Sequence, residues 1–120
     1  MTLSNIELEI LSMATEDLNG LWEVLWYLCT LFPNKDKHEL RMTAESIVKK
    51  LLTLGLIYLC RYSSAKDEEV LLQSDEVSAV LSNQENWEPP STITSTHIRF
   101  SSTDKGEHLY YSKDDDDLIT

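Results

Sequence analysis

Carboxylates are the side chains in this 120-residue chain best supplied for chemistry, with 21 Asp and Glu against 10 Lys and Arg and a formal net charge of −11. They gather in Asp67-Glu68-Glu69, in Asp75, Glu76, Glu85 and Glu88, and in the run Asp114-Asp115-Asp116-Asp117. A carboxyl pair can act as general acid and base only in a pocket that perturbs its pKa values, and nothing in this pattern defines one. In polar, consecutive runs such groups instead attract and pair with Lys and Arg of another molecule. Other reactive types are sparse. His38, His97 and His108 form no H-x-x-x-H spacing, and neither Cys29 nor Cys60 has a Cys or His neighbour at ligand spacing, so no metal or other cofactor is expected. Gly20, Gly55 and Gly106 are too few for a phosphate-cradling loop. The expectation is a binding protein and not an enzyme.

Three tryptophans compete for a binding role. Trp22 and Trp26 stand four apart in an apolar helical stretch, where they read as core or core-edge residues, with a dimer contact as the lesser option. Trp87, in Asn86-Trp87-Glu88-Pro89-Pro90, sits in a polar, Pro-stiffened segment. It either plugs back onto the core or anchors a partner, since Trp is enriched among binding hot spots.

The elements that must position these groups follow from periodicity. Ile6, Ile10, Met13 and Ala14 recur at helical spacing and predict a helix over 5–14, with Ser4 or Asn5 as its cap. Asp17 is positioned to cap a second helix ending at Pro33-Asn34. Val24, Trp26, Tyr27 and Leu31 extend the apolar character of that helix beyond one stripe, so it is expected to be buried almost all round, as the domain's central helix or shared with a partner subunit. A third helix is expected from Lys35 or Asp36 to Leu54, closed by Gly55, with Arg41, Glu45 and Lys49 as a solvated ladder of alternating sign. Strands are predicted at 56–62 and 97–100, a short helix from Ser74 to about Leu81, a loop over 83–96, and a terminal helix capped by Thr103.

Charge divides the chain. Residues 1–62 hold eight acids and six bases, whereas 63–120 hold thirteen acids and four bases. Length and composition suit a single domain, 1–112, followed by an acidic tail, 113–120, that is either a solvated end or a lure for a basic partner. No apolar run nears the roughly 18 residues a membrane span needs, and the first residues lack the pattern of a secretory signal, so a cytoplasmic protein without membrane association is expected. In that compartment Cys29 and Cys60 read as buried thiols, a disulfide between them being unusual.

The helix running into Gly55-Leu56-Ile57, together with a later strand closing on Phe100-x-x-Thr103-x-Lys105-Gly106 before another helix, resembles winged-helix domains. The resemblance covers 17–62 and 97–111. It implies an α+β fold, mainly helical with a small antiparallel sheet, in which the segment before Gly55 is the recognition helix, strands 56–62 and 97–101 are the arms of the wing, and the helix from Thr103 packs back on the core. Two departures bear on function. Residues 37–54 contain no Gly or Pro where a turn between two helices would lie, which predicts a fused helix-turn-helix, and the wing connection 63–96 is long and acidic.

Duplex binding needs Lys and Arg against phosphates, and a reader of DNA carries a basic stripe. Only a weak patch is present, with Arg41, Lys49 and Lys50 as the residues for an alternative reading as a winged-helix transcriptional regulator. As a class, the chain is similar to the small acidic immunity proteins of bacterial contact-dependent or Rhs-type toxin systems. That resemblance implies a basic partner protein, a cognate nuclease-type toxin, neutralised by Asp67, Glu68, Glu69, Glu85 and Glu88 with Trp87 as an anchor. A homodimer remains a further option.

Overall fold

In the computed structural model the described residues are 3–16, 19–63, 66–89 and 96–119, with side chains described as far as Ser112 except that of Thr96. The first helix, α1 (Asn5–Glu16), starts on a reciprocal cap: the Glu7 N–H donates to Ser4 Oγ at 3.2 Å and the Ser4 N–H to Glu7 Oε1 at 2.8 Å. A two-residue strand, β1 (Asn19–Gly20), leads directly into α2 (Leu21–Leu31). The second helix begins at Gly20, whose N–H donates to the Glu23 carboxylate at 2.7 Å. Asp17, the expected cap, lies outside the described residues.

Residues 37–53 form one helix, α3 (Lys37–Thr53), so the turn sought inside 37–54 lies ahead of it, where Pro33 separates α2 from α3. Its stripe of Leu40, Ala44, Val48 and Leu51 is buried. It ends in a Schellman arrangement, with the Leu56 N–H donating to the Leu51 carbonyl at 2.9 Å and the Gly55 N–H to that of Leu52 at 3.0 Å. Gly55 has φ +74°, a conformation glycine adopts without a steric penalty.

Strand β2 (Ile57–Ser63) turns into β3 (Glu68–Leu71), then come α4 (Ser74–Ser82), a short 3-10 helix (Gln84–Trp87), β4 (Thr96–Ser102) and α5 (Asp104–Ile119). The cap of α4 is Gln73, one residue before the expected Ser74, because its N–H reaches the Glu76 carboxylate at 3.2 Å. The expected terminal helix runs on through the Asp114–117 run, so the backbone of the predicted tail is helical as far as Ile119. All strands are antiparallel in the order β1-β4-β2-β3. The fold is therefore α+β, and its element order is compatible with a winged helix whose wing arms, β2 and β4, pair from Ile57↔Ser102 to Ser63↔Thr96.

The expected loop over 83–96 contains a 3-10 helix at Gln84–Trp87, and the described part of the insertion 63–96 is packed into the domain. It contributes Leu72, Val80, Leu81 and Trp87 to the core, beside Ile10, Leu21, Leu28, Leu51, Leu59 and Phe100. The second helix is not buried all round: Leu21, Val24, Leu25 and Leu28 are buried, but Trp26 is 63% exposed and Leu31 43%. α3 and the 3-10 helix pack on α2 more extensively than β1 and β4 do, and together they leave the face bearing Trp26 and Leu31 outward. No helix among the described residues is long and apolar enough to cross a membrane.

Gly55 and Gly106, far apart in the sequence, meet through one junction. The Thr103 N–H donates to the Leu56 carbonyl at 3.0 Å, its hydroxyl donates to the Gly55 carbonyl at 2.6 Å, and the same hydroxyl accepts from the Gly106 N–H at 3.0 Å. Thr103 thus caps α5 and locks it to the end of α3 at once.

Candidate functional site

The β2–β3 hairpin is the most acidic exposed feature of the sheet. Asp67 sits at its turn with φ 50°, which Asp tolerates better than most residues, and Glu68 and Glu69 open the edge strand β3, all four residues of which are exposed. Register places Tyr62 opposite both Glu69 and His97, and Cys60 opposite both Leu71 and Arg99, so these six side chains share one face. Ile57, Leu59, Arg61, Ile98 and Phe100 share the other.

On the first face the groups interlock. The Arg99 guanidinium stacks over Tyr62 at 3.7 Å from the ring centre, lies 3.8 Å from Glu69 Oε1, and donates through Nε to His97 Nε2 at 3.1 Å. The Tyr62 hydroxyl donates to Asp67 Oδ1 at 2.9 Å, and that hydrogen bond to a carboxylate raises the Tyr62 pKa above its ordinary value. Burial pushes the Cys60 thiol up, with Glu69 adding to the rise and Arg99 opposing it. Cys60 and the half-buried Cys29 are both free thiols. Beneath the hairpin, Arg61 pairs with Glu76 at 3.4 Å.

The predicted acids fall into two groups. Asp67, Glu68 and Glu69 are together at the hairpin, whereas Glu85 lies within, and Glu88 directly after, the 3-10 helix that packs on α2. Glu68, Glu85 and Glu88 are exposed and pair with no cation among the described residues. Of its two expected courses, Trp87 takes the one that plugs back onto the core. It is 1% exposed, and its indole N–H donates to the Leu81 carbonyl at 2.8 Å, because a large ring at the end of a stiffened segment gains most by filling the core beside α2 and α4.

The basic residues of the nucleic-acid reading are engaged internally. Arg41, expected on a solvated ladder, is only 11% exposed; it donates to the Leu81 carbonyl at 3.0 Å and lies 3.6 Å from Glu45. Lys49 pairs with the same Glu45 at 3.2 Å. Lys50 pairs with Glu7 at 2.9 Å, tying α3 to α1. Burial raises the Glu7 carboxyl, but the Ser4 backbone N–H, the Lys50 ammonium and the Ser4 hydroxyl outweigh it and hold the carboxyl below its ordinary range.

Sequence reasoning missed the Tyr62, His97 and Arg99 cluster. Its only signal was alternation within each strand, and the strand register needed to align the two was not legible. It also missed a groove of about 270 Å³ lined by Trp22, Leu25, Trp26, Cys29, Lys37, Trp87 and Pro89. Among the described residues no three His, Cys, Asp or Glu side chains gather as metal ligands would. Compared with known proteins, the chain matches no family model, no curated sequence and no solved structure.

Proposed function

We propose that this chain is a non-catalytic, cytoplasmic immunity protein on a winged-helix scaffold, which neutralises a basic nuclease-type toxin by occluding its nucleic-acid cleft. The observation that supports this reading best is the exposed edge strand with Asp67, Glu68 and Glu69, standing where a nucleic-acid-binding wing would carry positive charge. Phosphate is repelled by that surface, whereas the Lys and Arg side chains of a nuclease cleft are attracted to it. Glu85 and Glu88 extend the acidic surface along the same insertion. Such complementarity acts first on the encounter rate, and at about 8 Å the Debye length of physiological salt confines it to close approach.

The test is inhibition of, and association with, the basic nuclease-type toxin encoded beside this chain. Stopped-flow association should slow by about tenfold or more when Glu68, Glu69, Glu85 and Glu88 are all changed to Gln, with a shallower dependence on salt. Unchanged rates and an unchanged salt slope would refute the reading, as would a gene neighbourhood without a toxin.

A further inference from the structure

Strand β3 has a partner on one side of its backbone only. It ends the sheet order β1-β4-β2-β3, and all four of its residues are exposed. The Leu72 N–H donates to the Leu59 carbonyl at 3.0 Å, and with Arg61 opposite Val70 and Ser63 opposite Glu68 the antiparallel alternation turns the N–H and C=O of Glu68 and Val70 towards β2. The N–H and C=O of Glu69 and Leu71 therefore point away from the sheet, and no described residue hydrogen-bonds to them. Four such groups in line are a template for another strand.

We propose that β3 receives an extended segment of a basic protein as a further, antiparallel strand of the sheet. The proposal deepens the reading of the hairpin as the surface for a basic partner and rests on it for the partner's charge. Asp67, Glu68 and Glu69 stand at the start of the strand, with Lys66 as the one base of the turn. Glu68 makes no ion pair among the described residues, and Glu69 reaches Arg99 only at 3.8 Å. Val70 and Leu71, each 56% exposed, stand at the other end. There a cavity of about 400 Å³ opens between the end of α3 and α4, lined by Leu52, Ile57, Tyr58, Leu71 and Val77 among others.

These two ends specify the occupant. An antiparallel segment read from its amino terminus meets apolar surface first and carboxylates second, so it carries two apolar residues followed by two of Lys or Arg. Backbone hydrogen bonds hold such a strand, and the side chains opposite each position select it. A second copy of β3 does not fit this pattern. Paired antiparallel about its centre, it sets Glu68 and Glu69 of each copy against Leu71 and Val70 of the other, with no charge beside its opposite. Nucleic acid is disfavoured as well, because the carboxylates repel its phosphates.

The probe is the end-blocked peptide Thr-Leu-Ile-Arg-Arg-Thr, titrated into the full chain at low salt by calorimetry, with amide exchange followed by NMR. Saturable binding with a Kd of about 100 μM or tighter is expected, and the Glu69 and Leu71 amides should gain about tenfold protection. In the antiparallel register the amides of the peptide's Leu and first Arg face β3, whereas those of its Ile and second Arg face away. N-methylation of the first two should abolish binding, and N-methylation of the other two should change it by less than about threefold. Glu68→Gln with Glu69→Gln should weaken binding by about threefold or more, and a peptide with Glu in place of both Arg should not bind. No binding of the Arg peptide, or equal sensitivity to the two methylation patterns, would overturn strand addition. The toxin reading fails separately. A toxin whose association responds to the Gln changes but leaves the Glu69 and Leu71 amides unprotected keeps that reading and overturns this one, while the expected peptide pattern without a toxin response supports strand addition by another basic protein.

Discussion

Replacing Gly106 with alanine should destabilise the fold by about 2–3 kcal/mol, although alanine is the better helix former. A Cβ at this position would lie 2.0 Å from the Leu56 carbonyl oxygen and 2.9 Å from its carbonyl carbon, both backbone atoms at the start of the sheet. To bring the 2.0 Å approach out to an ordinary contact of at least 3.4 Å, α5 must retreat by about 1.4 Å, an overpacking that costs roughly 1–3 kcal/mol. The retreat also stretches the bonds from Thr103 to the carbonyls of Leu56 and Gly55, each contributing about 1 kcal/mol. Helix propensity returns at most about 1 kcal/mol. Urea unfolding followed by circular dichroism should show a lower midpoint at unchanged slope, with Tm reduced by roughly 10 °C for a chain of this length. Gly55→Ala is the comparison. Its Cβ meets only the Lys105 side chain at 3.9 Å, so its cost is the left-handed backbone alone, about 1–2 kcal/mol. A Gly106→Ala protein as stable as the wild type, or more stable, would refute the argument that α5 bears directly on the Leu56 backbone.

Two further outcomes follow from the same geometry. Arg41→Ala should lower stability by about 1–3 kcal/mol, since it removes a largely buried donor to the Leu81 carbonyl, whereas the exposed Lys49→Ala should cost less than about 1 kcal/mol; equal urea midpoints for the two variants would contradict the buried role of Arg41. Because the folded Glu7 carboxyl is held below its ordinary range, its link to Lys50 contributes above about pH 4.3 and is lost as pH falls through the depressed folded value. Urea midpoints between pH 7 and pH 3 should therefore fall more steeply for the wild type than for Glu7→Gln, and parallel curves would remove Glu7 from the account.

Local signals were legible where a residue's role is settled within its own turn. The Ser4 and Thr103 caps, the Gly55 stop, the helix over 37–53 and the strands β2 and β4 all follow from spacing, because helix capping and strand alternation are satisfied by near neighbours. The extent of burial of α2 was misjudged, since a hydrophobic sequence states how much apolar surface exists and not how much a small sheet and its neighbouring helices can cover. Arg41 was misplaced, and the choice between the two readings of Trp87 stayed open, for a related reason. Both bind the Leu81 carbonyl, an acceptor six and forty residues away, and no periodicity reports a partner of that kind.

The amino-acid sequence by itself determined the α+β class, the order of its principal elements and the concentration of acid in the second half. These depend on residue type, short-range spacing and charge count, which survive without any tertiary contact. Only the tertiary structure decided that the insertion is built into the core, that Arg99 gathers Tyr62, His97 and Glu69, and that the second helix leaves Trp26 exposed. Strand register and the area available to cover each helix are properties of the whole assembled chain, set by contacts between residues far apart in sequence.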